Sequence, residues 1–236
     1  MPYKYNCIKI GPEKNGYINA SPIKAGEYYF VATQGPKEET IEDFWTMVWE
    51  LNSKVIVMLC DTHEGNEKKE KCAKYWDITK EKFKIILAKT NFFNPYYVNE
   101  LKVTNLSNNE ERIVYQIKYQ RWPDNGVPDK KITRNFDAFR EMFEQVDINN
   151  SNEKDNKPPV IVHCSAGAGR TWTFIEMYLI EKEIMKQIED KCPIIRINIF
   201  NLVRKLKEMR IYMVQTTLQY LYIYSFAEKV LKEENR

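Results

Sequence analysis

Apolar positions recur every three or four residues after Thr40, at Ile41, Phe44, Trp45, Val48 and Leu51. This period predicts an amphipathic helix, with Thr40 and Asp43 in capping-box spacing at its start. Val55 to Leu59 is a continuous apolar run of strand length and predicts a strand buried on both faces. Segments 83–88, 96–106 and 111–121 alternate, or carry Ile, Val and Tyr between polar turns, and predict an antiparallel run of strands. Helical period returns over 133–146 through Phe136, Phe139, Phe143 and Val146. Residues 147–157 are polar and predict a surface loop, after which Pro158 to Val162 reads as a second buried strand. Three more helices are predicted, over 174–186, 199–209 and 216–231, the last opened by Thr216 with Gln219 in capping-box spacing. Strands interleaved with helices, plus an antiparallel stretch, predict a mixed α/β (α+β) fold forming a single domain over residues 1–236.

Composition narrows the function classes. The 36 basic and 33 acidic residues leave a net charge of +3, so no strong field selects nucleic acid or an anionic membrane. A hydrophobic share of 43% excludes a disordered chain. The apolar runs are far shorter than the roughly 20 residues a bilayer span needs, and the first residues carry no secretory h-region. Five cysteines form an odd, irregularly spaced set, which suits a reducing compartment. The expectation is a soluble, cytoplasmic chain with no nucleic-acid partner and no membrane insertion. Only eight glycines occur, so the close pair Gly167 and Gly169 marks special backbone geometry.

Those glycines lie in Val160-Ile-Val-His-Cys-Ser-Ala-Gly-Ala-Gly-Arg-Thr171, a buried strand feeding a short loop that opens into a helix. Successive backbone N–H groups from Ser165 through Ala166, Gly167, Ala168 and Gly169 to Arg170 form an anion cradle, reinforced by the helix dipole. A thiol in that field is favoured as thiolate, which makes Cys164 a candidate nucleophile. Arg170 supplies a planar fork for two phosphoryl oxygens, and Thr171 offers a hydroxyl to the departing thiolate. The competing reading is a structural Cys beside a core His. With only two His and five Cys in the chain, His-Cys followed by Arg six residues on rarely arises by chance.

His-Cys-x5-Arg-Thr resembles the signature of the cysteine-dependent protein tyrosine phosphatases. Tyr17-Ile-Asn-Ala-Ser21, Ala32-Thr-Gln-Gly-Pro36, Lys71-Cys-Ala-Lys-Tyr-Trp76, Trp122-Pro-Asp-Asn-Gly-Val-Pro128 and Met213-Val-Gln-Thr216 are similar to that family's other motifs, in its order. The resemblance implies a highly twisted mixed sheet flanked by helices and a metal-free, cofactor-free hydrolase of phosphotyrosine proteins, acting as a monomer. It implies that Asp124, in the loop begun by Trp122, is the general acid, and that Gln215 and Gln219 place the hydrolytic water. It further implies that Tyr5 flanks the substrate ring, Glu64 orients Arg170 and His163 orients the loop. A phosphotyrosine-binding pseudophosphatase is the rival reading, although nucleophile, acid and Arg are all intact. A papain-like hydrolase would have only His63 as a partner for Cys164, and a zinc site of Cys60, His63 and Cys72 lacks a fourth ligand.

Three positions depart from the family pattern. Cys7 stands where an acidic residue often anchors substrate backbone, Asn125 follows Trp-Pro-Asp, and Trp172 replaces the small Gly after Arg-Thr. The expectation for Trp172 is a place on the surface or in room left by smaller neighbours, not strain beneath the loop. The chain also begins close to the substrate-Tyr loop, which fits either a trimmed form of a longer chain or a compact viral member of the kind carried by parasitoid wasps, the latter implying host-cell cytoplasm.

Overall fold

The computed structural model describes residues 1–128, 135–150, 157–211 and 214–234. A short hairpin, β1 (Lys9–Ile10) and β2 (Gly16–Tyr17), precedes β3 (Ala20–Ala25) and β4 (Tyr28–Gln34). Helix α1 (Ile41–Glu50), β5 (Val55–Met58) and a small hairpin of β6 (His63–Glu64) and β7 (Lys69–Glu70) follow. Next come β8 (Ile78–Thr79), β9 (Phe83–Phe92), β10 (Tyr96–Asn105), β11 (Glu110–Tyr119) and α2 (Asn135–Asn149). The chain then forms β12 (Val160–Cys164), α3 (Gly169–Glu189), α4 (Ile199–Lys207) and α5 (Thr217–Glu234).

Eight strands make one sheet in the order β3-β4-β12-β5-β11-β10-β9-β8. The inner four, β4, β12, β5 and β11, are mutually parallel, and the flanking strands pair antiparallel. Strands buried on both faces need near-continuous apolar sequence, and β5 and β12 are buried at every position. Parallel strands point their carboxyl ends to one edge of the sheet, the edge where ligands bind in such architectures. Four segments therefore leave the sheet together: Gln34-Gly35, Leu59 to Glu64, Gln120 to Asp124 and Cys164 to Arg170. Behind them α3 packs on β12 and β4 and is itself covered by α2, α4 and α5. Its first three turns, from Gly169 to Glu181, are accordingly buried on every side rather than along one stripe.

The mixed fold and most predicted elements agree with this architecture, with four differences. The cap of α1 is not the predicted box, because Thr40 Oγ1 accepts from Lys37 N at 2.9 Å and closes a preceding 3-10 turn. The polar stretch after Val146 is not loop from its first residue, since α2 continues through Asn149. There Asp147 is tied to α3, accepting from Tyr178 Oη at 2.5 Å and pairing with Lys182. Residues 151–156 of that predicted loop, and 133–134 of the predicted helix, lie outside the described residues. Helix α3 begins at Gly169 rather than near Phe174, so Arg170 lies within its first turn. Finally, β1 to β4 and the short strands β6, β7 and β8 have no counterpart among the predicted elements, although β4 is one of the central strands.

Candidate active site

The loop from Cys164 to Arg170 is shaped from outside by groups that hold its carbonyls. The Cys164 carbonyl faces His163 Nδ1 at 3.2 Å, and since a carbonyl only accepts, Nδ1 carries the proton. His163 Nε2 lies 2.8 Å from Tyr75 Oη, so both ring nitrogens are held in a site with no exposure to solvent. Gly35 N donates to the Ser165 carbonyl at 3.0 Å. Arg210 donates to the Gly167 carbonyl at 2.9 Å and to the Ala166 carbonyl at 3.3 Å. Across a trans peptide the C=O and the following N–H point in opposite directions. Carbonyls of residues 164 to 167 turned outward therefore leave the N–H groups of Ser165, Ala166, Gly167 and Ala168 turned inward. Gly167 makes the bend with φ +66°, and a Cβ there would meet the Thr33 carbonyl oxygen at 2.2 Å. No side chain larger than hydrogen fits.

The cavity this loop closes holds about 130 Å³ and is lined by Asp124, Asn125, Cys164, Ser165, Ala166, Arg170, Gln215 and Gln219. Cys164 sits at its bottom, 3% exposed. Arg170, 2% exposed, joins three segments. Its Nη1 donates to Glu64 Oε1 at 2.5 Å and to the Trp122 carbonyl at 2.9 Å, while Nη2 donates to Asp124 Oδ1 at 3.2 Å. Burial works against the guanidinium charge, but Cys164 and Glu64 outweigh it and hold the Arg170 pKa above its ordinary value.

Asp124 is carried by a tight turn. Gly126 N donates to the Pro123 carbonyl at 3.2 Å, Trp122 Nε1 donates to the Gly126 carbonyl at 3.1 Å, and Asn125 takes φ +55°. Asn tolerates that left-handed geometry better than most side chains, which accounts for its place after Trp-Pro-Asp. Burial pushes the Asp124 carboxyl up, but Lys71, 2.5 Å from Oδ2, and Arg170 hold it below its ordinary value. Lys71 is a contact of Asp124 that sequence reasoning missed, because nothing in its spacing announces a partner 53 residues away.

Gln215 Oε1 accepts from Gly169 N at 3.3 Å. Gln219 is fully buried and closes the back of the site, accepting from Gln215 N at 3.0 Å and donating to the Gly126 carbonyl at 3.4 Å. Half of the predicted cap of α5 is present, with Gln219 N donating to Thr216 Oγ1 at 3.2 Å. Met213, in the same motif, lies outside the described residues. Tyr5 is not part of the cavity wall. It is 77% exposed, stacks on Tyr3 and donates to the Glu208 carbonyl at 2.7 Å. Thr171 Oγ1 is buried without a hydrogen-bond partner. Cys7 turns inward to the Ile8 and Ile18 carbonyls at 3.2 and 3.6 Å.

Trp172 is fully buried, so the surface placement is excluded. Its backbone N–H closes the first helical bond to Ala168 at 3.0 Å, and the loop carbonyls keep all their anchors around it. The indole therefore takes core space behind the loop without displacing it.

A family model described as protein-tyrosine phosphatase matches residues 1–229. The human tyrosine-protein phosphatase non-receptor type 14 is 34% identical over 95% of this chain, and tyrosine-protein phosphatase 2 of Dictyostelium discoideum is 36% identical over 96%. The chain spans only 20% and 59% of those two relatives. Among solved structures, the catalytic domain of human protein tyrosine phosphatase non-receptor type 18 superposes with a TM-score of 0.83 at 30% identity, covering 98% of this chain and 81% of that one. A structure of PTPN18 in complex with HER2 phosphopeptides is similar at TM-score 0.83 and 29% identity, covering 98% and 78%. With the family model matched over residues 1–229 and a solved catalytic domain superposed on 98% of its length, the chain belongs to the protein-tyrosine phosphatase family.

Proposed function

We propose that residues 1–236 form one catalytic domain that hydrolyses phosphotyrosine in proteins through a phosphocysteine intermediate. The observation that carries this reading is the convergence of Cys164, Arg170, Asp124 and Gln215 on one small cavity floored by inward-facing amides. In the first step the phosphoryl oxygens lie on the amides of residues 165 to 168 and on the Arg170 fork. The Cys164 sulfur forms a bond to phosphorus as the phosphorus–oxygen bond to the tyrosine breaks. The leaving phenolate takes its proton from Asp124. In the resting site Lys71 and Arg170 favour the ionised carboxyl. A bound phosphoryl dianion occupies the Arg170 fork and presents negative charge to Asp124, so substrate binding itself raises the acid's pKa. In the second step Gln215 places a water, Asp124 takes its proton, and the sulfur–phosphorus bond breaks to release phosphate.

Burial of the nucleophile supports tyrosine over serine. A thiol that is 3% exposed at the bottom of a narrow cavity is reached by a phosphoryl group on a long rigid ring and not by one on a short side chain. Phosphotyrosine proteins are thus the proposed partners. No described helix is long and apolar enough to cross a membrane, and all five cysteines are free, which supports a cytoplasmic place of action. The test is release of phosphate from matched phosphotyrosyl and phosphoseryl peptides, each with and without chelator. Turnover of the phosphotyrosyl peptide alone, unchanged by chelator, is expected. Equal turnover of both peptides, or of neither, refutes the assignment.

A further inference from the structure

Arg210 lies immediately beyond α4 and the turn that follows it, at the isolated bridge to Pro2, 43 residues in sequence from Gly167 of the loop. Its side chain is fully buried, with 0% exposure. Four hydrogen bonds hold it. Nε reaches the Gly167 carbonyl at 2.9 Å and Nη2 the Ala166 carbonyl at 3.3 Å, while Nη1 reaches Ser21 Oγ at 3.2 Å and Nη2 also reaches Asn19 Oδ1 at 2.8 Å. All four acceptors are neutral. Among the described residues no carboxylate pairs with Arg210, whereas Arg170 has Glu64 and Lys118 has Asp61. A buried cation ordinarily requires a buried anion. The missing anion therefore has to be something that the loop itself presents or binds.

We propose that Arg210 is a positioning residue for phosphate: its guanidinium pins the outer side of the loop to β3 and leaves its positive charge for the anion in the cavity. Two consequences follow from the geometry. By holding the carbonyls of Ala166 and Gly167, the fork fixes the N–H groups of Gly167 and Ala168 toward the cavity. Because no carboxylate cancels it, the charge adds to the field at the cavity floor, where low-dielectric surroundings make it effective. Burial lowers the Arg210 pKa to about 10 and Cys164 acts in the opposite direction, so the group remains a cation at neutral pH. The inference rests on the phosphate reading of the loop, but it adds a residue that makes no contact with the cavity.

The experiment measures two things on Cys164 in the full chain: protection by inorganic phosphate against alkylation by iodoacetamide, and the ratio of alkylation rates for anionic iodoacetate and neutral iodoacetamide. Arg210→Met is expected to weaken phosphate protection by about tenfold or more and to lower the ratio by about fivefold. Arg210→Lys is expected to restore the ratio to within about twofold of wild type, since the charge returns, but not phosphate protection, since the fork does not. Melting temperatures confirm that each variant is folded. Should Arg210→Met fail to fold, the double variant Asn19→Ala with Ser21→Ala frees the guanidinium from β3 and is expected to weaken phosphate protection by about threefold. Folded Arg210→Met with both readouts unchanged overturns the proposal, as does loss of both readouts in Arg210→Lys, which would mark a purely structural role. For the double variant, unchanged protection overturns it. Absence of phosphate protection in the wild type would instead fault the phosphate reading itself.

Discussion

Two adjacent stretches of the chain treat their buried polar atoms in opposite ways. From Cys164 to Gly167 every backbone carbonyl is held by a donor outside the loop, and Arg170 just beyond it has three acceptors. In the next two turns of the same helix, Thr171 Oγ1, Trp172 Nε1 and both carboxyl oxygens of Glu176 are buried with no partner. An unpartnered buried polar group costs about 1–3 kcal/mol. The loop is thus over-determined and the helix behind it is under-satisfied. Rigidity is concentrated where the amides must face one way, and α3 is left to fill space by size, with Trp172 occupying the interior although its indole N–H finds no acceptor. Helix α3 is also where burial alone sets an ionisation. Removal from water pushes the Glu176 carboxyl up to about 8 from its ordinary 4.5, opposed by Lys207.

The largest expected effect comes from breaking the well-satisfied side. Asp124→Ala should lower turnover of a phosphotyrosyl peptide by on the order of 100-fold to 10,000-fold while leaving peptide affinity intact, because leaving-group departure uses the acid and binding uses the amides and Arg170. Equal loss in affinity, read by calorimetry, would remove Asp124 from the acid role. Breaking the under-satisfied side should cost stability and spare chemistry. Trp172→Gly empties a large core volume, so a loss of about 3–5 kcal/mol in a denaturant titration is expected. Turnover of the folded fraction should change by less than about tenfold, ~1.4 kcal/mol in barrier height. A much larger gain in turnover would show that the indole restrains the loop and that the natural chain is chiefly a binder.

The smallest effect is a slope. Between pH 4.5 and about 8 the native state keeps the Glu176 proton that the unfolded chain has released. Stability therefore falls as pH rises through this window, by up to about 1.4 kcal/mol per pH unit, and the contribution is fully present only below the unfolded value. The groups acting on Glu176 from its packing neighbours are Lys207 at the end of α4 and Tyr220 in α5. Glu176→Gln removes the titration and should flatten the dependence of melting temperature on pH. An unchanged slope would place the proton elsewhere.

How far the sequence was legible follows the same division. The loop, Asp124, Gln215 and Glu64 could be read because they sit in local motifs, and the structure brings them together around Arg170 and one cavity. Strand β4 escaped notice because Tyr28-Tyr-Phe-Val-Ala-Thr-Gln34 has neither alternation nor a flanking helix pattern, and its burial comes from β3 and β12 on either side. Arg210 and Lys71 looked like ordinary cations of polar segments. Their roles depend on partners 43 and 53 residues away, which no local period encodes. Tyr5 lies outside the cavity lining with its hydroxyl bonded to the Glu208 carbonyl, a partner 203 residues away that its motif does not announce. The buried carboxyl of Glu176 is not legible because, in a helix that also carries Glu181, Glu183 and Glu189, it reads as one more surface position until the covering helices are known.

The central claim is that the phosphoryl group passes through the Cys164 sulfur. Acid quench of a single turnover with a phosphotyrosyl peptide labelled in its phosphate, followed by digestion, tests it directly. The label should appear transiently on the fragment containing Cys164, accumulate further in Gln215→Ala, where the water is misplaced, and be absent from Cys164→Ser. Release of labelled phosphate at the wild-type rate with no labelled fragment, or with label on another residue, would contradict the account.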